Sequence, residues 1–129
     1  MARRDFDPAT ASPDGRAPAK GRLFDPDAEG AWRGSLNGDA FGSGNTVLTY
    51  GNDTPGDGPR LHVHPYDETF VVLTGAARFF VGDAVIDASA GEVVFGPAGL
   101  PHRFENLGPG RLQTLDIHHS PRWIQTDLE

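Results

Sequence analysis

Four side chains could do chemistry together: His62, His64, Glu68 and His102. The first three lie in Gly56-Asp-Gly-Pro-Arg-Leu-His62-Val-His64-Pro-Tyr-Asp-Glu68, the fourth in Gly96-Pro97-Ala-Gly99-Leu-Pro101-His102-Arg-Phe-Glu-Asn106. Residues two apart on a strand point to one face, so His62 and His64 project side by side. Two imidazoles on one strand, a carboxylate four residues on and a third imidazole from another segment would suit a divalent first-row metal. The plainer reading is that His-x-His is a chance pair of surface or satisfied core histidines, since the chain has five in all. The punctuation around the pair favours ligands. Gly56, Gly58 and Pro59 before it and Pro65 after it mark turns at both ends of a short strand.

These residues carry a resemblance. Gly56, five residues, His62-x-His64, three residues, Glu68, six residues, Gly75 resembles the first cupin motif. Gly91, five residues, Pro97-x-Gly99, two residues, His102, three residues, Asn106 resembles the second, and fifteen residues (76–90) separate the two. The resemblance implies an all-β fold, a small antiparallel β-barrel or jelly roll (a double-stranded β-helix), with a metal inside on His62, His64, Glu68 and His102. It implies no single reaction, because the superfamily spans dioxygenases, decarboxylases, isomerases, sugar-binding regulators and storage proteins.

The elements that must position the four side chains are short. Thr46–Tyr50 reads as a strand, and 51–59 as a loop close to the barrel mouth. Strands follow over 68–74, 77–81, 84–87 and 92–95, with Gly82-Asp83 as a hairpin turn. The Gly96–Pro101 turn delivers His102, and a last strand runs from Arg111 to His118. No helical periodicity of useful length appears, and short strands with Gly and Pro turns indicate a sandwich or barrel. Residues 1–30 form an extended arm rich in Pro, Ala and Gly, too poor in large apolar groups to offset its ordering entropy. Residues 31–129 form one β-barrel domain, the natural count for 129 residues. The Trp123-Ile124 tail is expected to dock on the barrel or on a partner subunit.

Around the four ligands, several residues have two readings each. Glu68 is a ligand, the favoured role, or a base that takes a proton from substrate. Arg60 shares the face of His62 and either grips a carboxylate in the cavity, as a second catalytic residue, or points from its loop into solvent. Phe70, Val72 and Phe104 serve the core more than recognition. Tyr66 is expected at the surface, and Asn106 in a turn or hydrogen bond at the barrel end. Leu115 and Ile117 are read as inward-facing, which sends His118 out beside His119 as a solvated pair.

Composition narrows the function. The chain has no cysteine, so disulfides and thiolate ligands are excluded, and its formal net charge is −7. An acidic surface argues against nucleic acid or anionic membrane as partner, and no apolar run approaches the roughly 18 residues of a span. A cytoplasmic homodimer is expected, with no organic cofactor and one divalent ion: iron, manganese, nickel, copper or zinc. The leading function is a metal-dependent enzyme on a small organic anion that carries a carboxylate, of dioxygenase or isomerase/lyase type. The alternatives are a non-catalytic binding or sensing module with a structural metal, and an empty structural barrel.

Overall fold

The computed structural model describes residues 2–28 and 32–129. Among them lie ten strands: β1 (Gly34–Leu36), β2 (Thr46–Asn52), β3 (His62–Val63), β4 (Glu68–Thr74), β5 (Ala76–Val81), β6 (Ala84–Ser89), β7 (Val93–Gly96), β8 (His102–Asn106), β9 (Leu112–His118) and β10 (Thr126–Asp127). They form two antiparallel five-stranded sheets, ordered β1-β2-β9-β4-β7 and β10-β3-β8-β5-β6. The sheets face each other as a jelly roll and do not close into one hydrogen-bonded barrel. Only 3-10 turns interrupt the β structure among the described residues.

Alternation builds this sandwich. Along β4, β5, β8 and β9 every second residue is buried, the pattern of sheets with one face on a core. The core holds Phe70, Val72, Ala77, Phe79, Val81, Ala88, Val94, Phe104 and Leu112. Three of its rings join the sheets: Phe70 from β4 meets Phe79 and Phe104 from β5 and β8 at 5.1 and 5.9 Å between centroids, and Phe79 meets Phe104 at 5.1 Å. Such aromatic contacts contribute about 0.5–1.5 kcal/mol each beyond their burial. Gly82 turns the β5–β6 hairpin with φ +56°, where Val81 pairs Ala84 across a two-residue loop.

Two strands escape the sequence pattern, β1 and β10, of three and two residues. Both are short edge strands, too brief to show a period of their own. β1 adds to β2, and β10 adds to β3 with Thr126 opposite Val63 and Asp127 opposite His62. The tail therefore docks on its own sheet. Residues 2–22 are exposed, whereas Leu23 and Phe24 are half-buried, with the Leu23 carbonyl close against Gly34 of β1. The expected boundary between residues 30 and 31 lies outside the described residues.

Candidate metal centre

Three strands and a turn bring the four expected ligands together. His62 opens β3 and stands opposite His102, the first residue of β8. His64 follows β3 by one residue, and Glu68 opens β4 in the facing sheet. One donor atom from each of the four lies within 4.8 Å of the others, and all four side chains are buried. Gly96 pairs with Glu68, and a Cβ there would come within 3.1 Å of the Phe70 ring and 3.7 Å of His102 Nδ1. The bare backbone leaves room for the Phe70 ring, while the imidazole would be in ordinary contact.

Backbone carbonyls set the tautomer of each imidazole. His62 Nδ1 faces Arg60 O at 2.5 Å, His64 Nδ1 faces Ile124 O at 2.7 Å, and His102 Nδ1 faces Leu100 O at 3.2 Å. A carbonyl only accepts, so each ring carries its proton on Nδ1 and turns the Nε2 lone pair inward. His64 Nε2 and His102 Nε2 then lie 3.1 and 3.2 Å from Glu68 Oε1, yet all three atoms are buried without a hydrogen-bond partner. Acceptors facing one another inside a protein are costly unless something positive lies between them. A divalent cation fits this donor set: three neutral imidazoles and one carboxylate. Burial lowers the pKa of His62 and keeps its ring neutral. Burial alone would raise the pKa of Glu68, but hydrogen bonding from the surrounding imidazoles outweighs it and holds the carboxyl below its usual range; His118, described next, is the ring with an N–H to give. Glu68 is ionised.

His118 is the correction to the sequence reading. It is 2% exposed, not solvated, and its Nε2 lies 3.2 Å from Glu68 Oε2. On β9 the inner face is Thr114, Asp116 and His118, while Leu115 and Ile117 are half-buried on the outer face. There they pair with Val71, Thr69 and Val47 of neighbouring strands. Apolar residues were expected inward, but at this end of the sandwich the interior is a polar cavity. His119 does point outward, to Thr69 Oγ1 at 2.9 Å.

Tyr66, expected at the surface, is half-buried and stacks on His64 with ring centroids 4.9 Å apart. Its hydroxyl accepts from Ile124 N at 3.0 Å and so has its proton free for His118 Nδ1 at 2.7 Å. His118 therefore carries its own proton on Nε2, aimed at Glu68. Its tautomer is opposite to the other three, and it steadies the carboxylate rather than offering a lone pair.

The centre opens on a cavity of about 380 Å³ whose lining includes His62, Glu68, Phe70, Phe104, Asp116 and His118. Arg60 is exposed, its guanidinium beside the Glu129 carbonyl at 3.5 Å, and does not line this cavity. The following residue, Leu61, bonds the C-terminal segment, accepting from Leu128 N and donating to Glu129 Oε1. Phe70 and Phe104 serve both core and cavity wall, whereas Val72 is core alone. Asn106 binds the 53–59 loop: its backbone N–H donates to Asp57 O, its Nδ2 to Asn52 Oδ1, and its Oδ1 accepts from Gly108 N.

The comparisons with known proteins agree with this architecture. The family model for the cupin domain matches residues 50–118, more than half of the chain. The chain belongs to the cupin domain family. A structure of Bacillus subtilis oxalate decarboxylase, studied for its Mn(II) centres, superposes on this cupin with a TM-score of 0.68 at 21% identity over 88% of this chain and 30% of that one. A structure of oxalate oxidase gives 0.60 at 20% identity over 66% and 46%. The protein TT1209 of Thermus thermophilus gives 0.56 at 27% identity over 62% and 75%. The oxalate enzymes show a shared fold, and this cupin spans less than half the length of either. No curated protein sequence matches the chain. Among the described residues no helix is long and apolar enough to cross a membrane.

Proposed function

We propose that this cupin holds one divalent metal on His62, His64, Glu68 and His102 and acts with it on a small organic anion in the adjoining cavity, as a dioxygenase or an isomerase/lyase. The observation that carries the reading is the convergence of inward Nε2 lone pairs on an ionised, buried carboxylate, with three of those atoms lacking any partner. Three neutral ligands and one anion leave a divalent ion with net charge near +1, enough to polarise an oxygen of a bound anion. His118 holds the far oxygen of Glu68 and Tyr66 holds His118, while Phe70 and Phe104 supply an apolar wall. The oxalate oxidase and decarboxylase neighbours support metal chemistry on a small acid without naming the acid here.

A second reading has its own support. Glu68 and His118 are both engaged in the centre, so among the described residues that line the cavity Asp116, buried with a raised pKa, is the one carboxyl left to exchange a proton with a substrate. That favours a binding or sensing module with a structural metal. Metal-reconstituted protein incubated with a panel of small carboxylic acids, oxalate included, separates the readings. Oxygen uptake or product formation that disappears in His102→Ala supports the enzyme. Metal occupancy without turnover of any acid supports the module.

We further take residues 1–30 as an extended arm to a cupin unit over 31–129, and the assembly as a homodimer. Val85, Ile86, Val93 and Phe95 are exposed on β6 and β7, edge strands that touch each other. Apolar side chains on open edges call for cover.

A further inference from the structure

Arg33 was not marked out by any motif, yet it lines the same cavity as His62 and Glu68. It directly precedes β1, and the Gly34–Thr49 pairing sets it beside Tyr50. Its Nε donates to Gly51 O at 2.8 Å, and its guanidinium carbon lies 4.7 Å from the centroid of the Tyr50 ring. One hydrogen bond and one ring face therefore fix the plane of the group. Its terminal nitrogens engage no hydrogen bond or ion pair among the described residues. Arg33 is also the one permanent cation among the described residues that line the cavity.

The rest of the lining is chemically uneven. Leu48, Tyr50, Phe70, Phe104 and Trp123 supply apolar and aromatic surface. Two carboxyls are present besides the cation. Glu68 faces the imidazoles, and Asp116 is buried with only Thr114 Oγ1 donating to it, at 3.3 Å. A cavity of about 380 Å³ falls within the range of small-ligand sites of roughly 300–1,000 Å³. It is roomy for a two-carbon dicarboxylate, which would leave most of the apolar wall uncovered.

We propose that Arg33 is the specificity-determining anchor of this cavity, binding the carboxylate of a monocarboxylic acid whose aromatic or aliphatic body lies against Tyr50, Phe70 and Phe104. A planar guanidinium held by its Nε and by stacking presents its two Nη edges for bidentate recognition. The apolar wall supplies affinity, and the charge supplies the choice of acid over amide. The inference rests on the proposed function only in taking the cavity beside the metal centre as the binding site.

The test is calorimetric titration of phenylacetate, 3-phenylpropanoate and hexanoate, each beside its amide, into the full chain with and without reconstituted divalent metal. The same titrations are run on Arg33→Met and Arg33→Lys, and metal content is measured in every sample. The expected result is at least one acid bound more tightly than its amide. That preference falls about tenfold to a hundredfold in Arg33→Met and is partly restored in Arg33→Lys, with metal content and amide affinity unchanged. Three results overturn the proposal: no acid preferred over its amide, a preference that survives Arg33→Met, or a preference for acid that depends on metal and not on Arg33. Loss of metal binding with an Arg33-dependent preference intact would sink the metal reading and leave this one standing.

Discussion

At the scale of the residue, carbonyl acceptors decide the chemistry of the centre. His62, His64 and His102 are alike as letters, and the His-x-His spacing alone places two of them on one face. What makes them ligands-in-waiting is the acceptor behind each ring: Arg60 O, Ile124 O and Leu100 O. Of these, only the Arg60 and Leu100 carbonyls are local to their histidines. Ile124 lies sixty residues away in sequence, so no local spacing could point to it. His118 was hidden for a different reason. The usual rule that apolar residues face inward inverts where the interior is a polar cavity, so Leu115 and Ile117 misled its parity. Asp116 shares that inner face and gives a signed prediction. Its folded pKa is raised, so between the usual carboxylate pKa and that raised value the fold binds a proton the unfolded chain has released. Its contribution to stability is complete below the ordinary value and erodes as pH rises, by at most about 1.4 kcal/mol per pH unit. In metal-free protein, Asp116→Asn removes this slope. Melting temperatures from pH 5 to 8 should shift steadily in favour of the variant, whatever the starting offset, and parallel curves for the two proteins would show that Asp116 ionises freely in the fold.

At the scale of the element, the strongest strands were readable and the weakest were not. β5, β8 and β9 alternate throughout and β4 up to Val72, and the bounds expected for β4, β5 and β9 lie within one residue of those observed. β10 has two residues and no alternation to read, yet it secures the site. Leu128 N donates to Leu61 O, Leu61 N donates to Glu129 Oε1, and the preceding Ile124 holds both His64 Nδ1 and the Tyr66 hydroxyl. Groups behind a metal-binding imidazole are worth about 10–100-fold in affinity. Ending the chain after Pro121 removes all of these contacts but leaves the aromatic core in place. The truncated protein should still unfold cooperatively, while its affinity for divalent metal drops by about that factor in a competition titration. Tyr66→Phe, which removes only the bridge between Ile124 and His118, should weaken binding less. Unchanged affinity after truncation would mean that the tail has no part in orienting His64.

At the scale of the whole molecule, the two sheets have unequal edges. β10 closes one edge beside the metal strand, whereas β6 and β7 leave Val85, Ile86, Val93 and Phe95 exposed at the other. The tail, expected to dock on the barrel or on a partner subunit, is occupied on its own sheet, so the homodimer we propose would use the β6–β7 surface. Light scattering should return twice the mass of one chain, and Phe95→Glu should return one. The cupin fold could be read from the two motifs because they record turns and ligands, which are local. The cavity could not, because Arg33 meets Asp116, His118 and Trp123 there from a distant stretch of chain, and the polar parity of β9 runs against the usual apolar-inward rule. The central claim is that His62, His64, Glu68 and His102 hold a metal, and elemental analysis of protein purified without chelator or affinity tag tests it most directly. The expected result is close to one divalent transition metal per chain, lost in the His62→Ala/His64→Ala double variant while the fold survives by circular dichroism. No metal in the purified protein, and none bound on reconstitution with iron, manganese, nickel, copper or zinc, would contradict it.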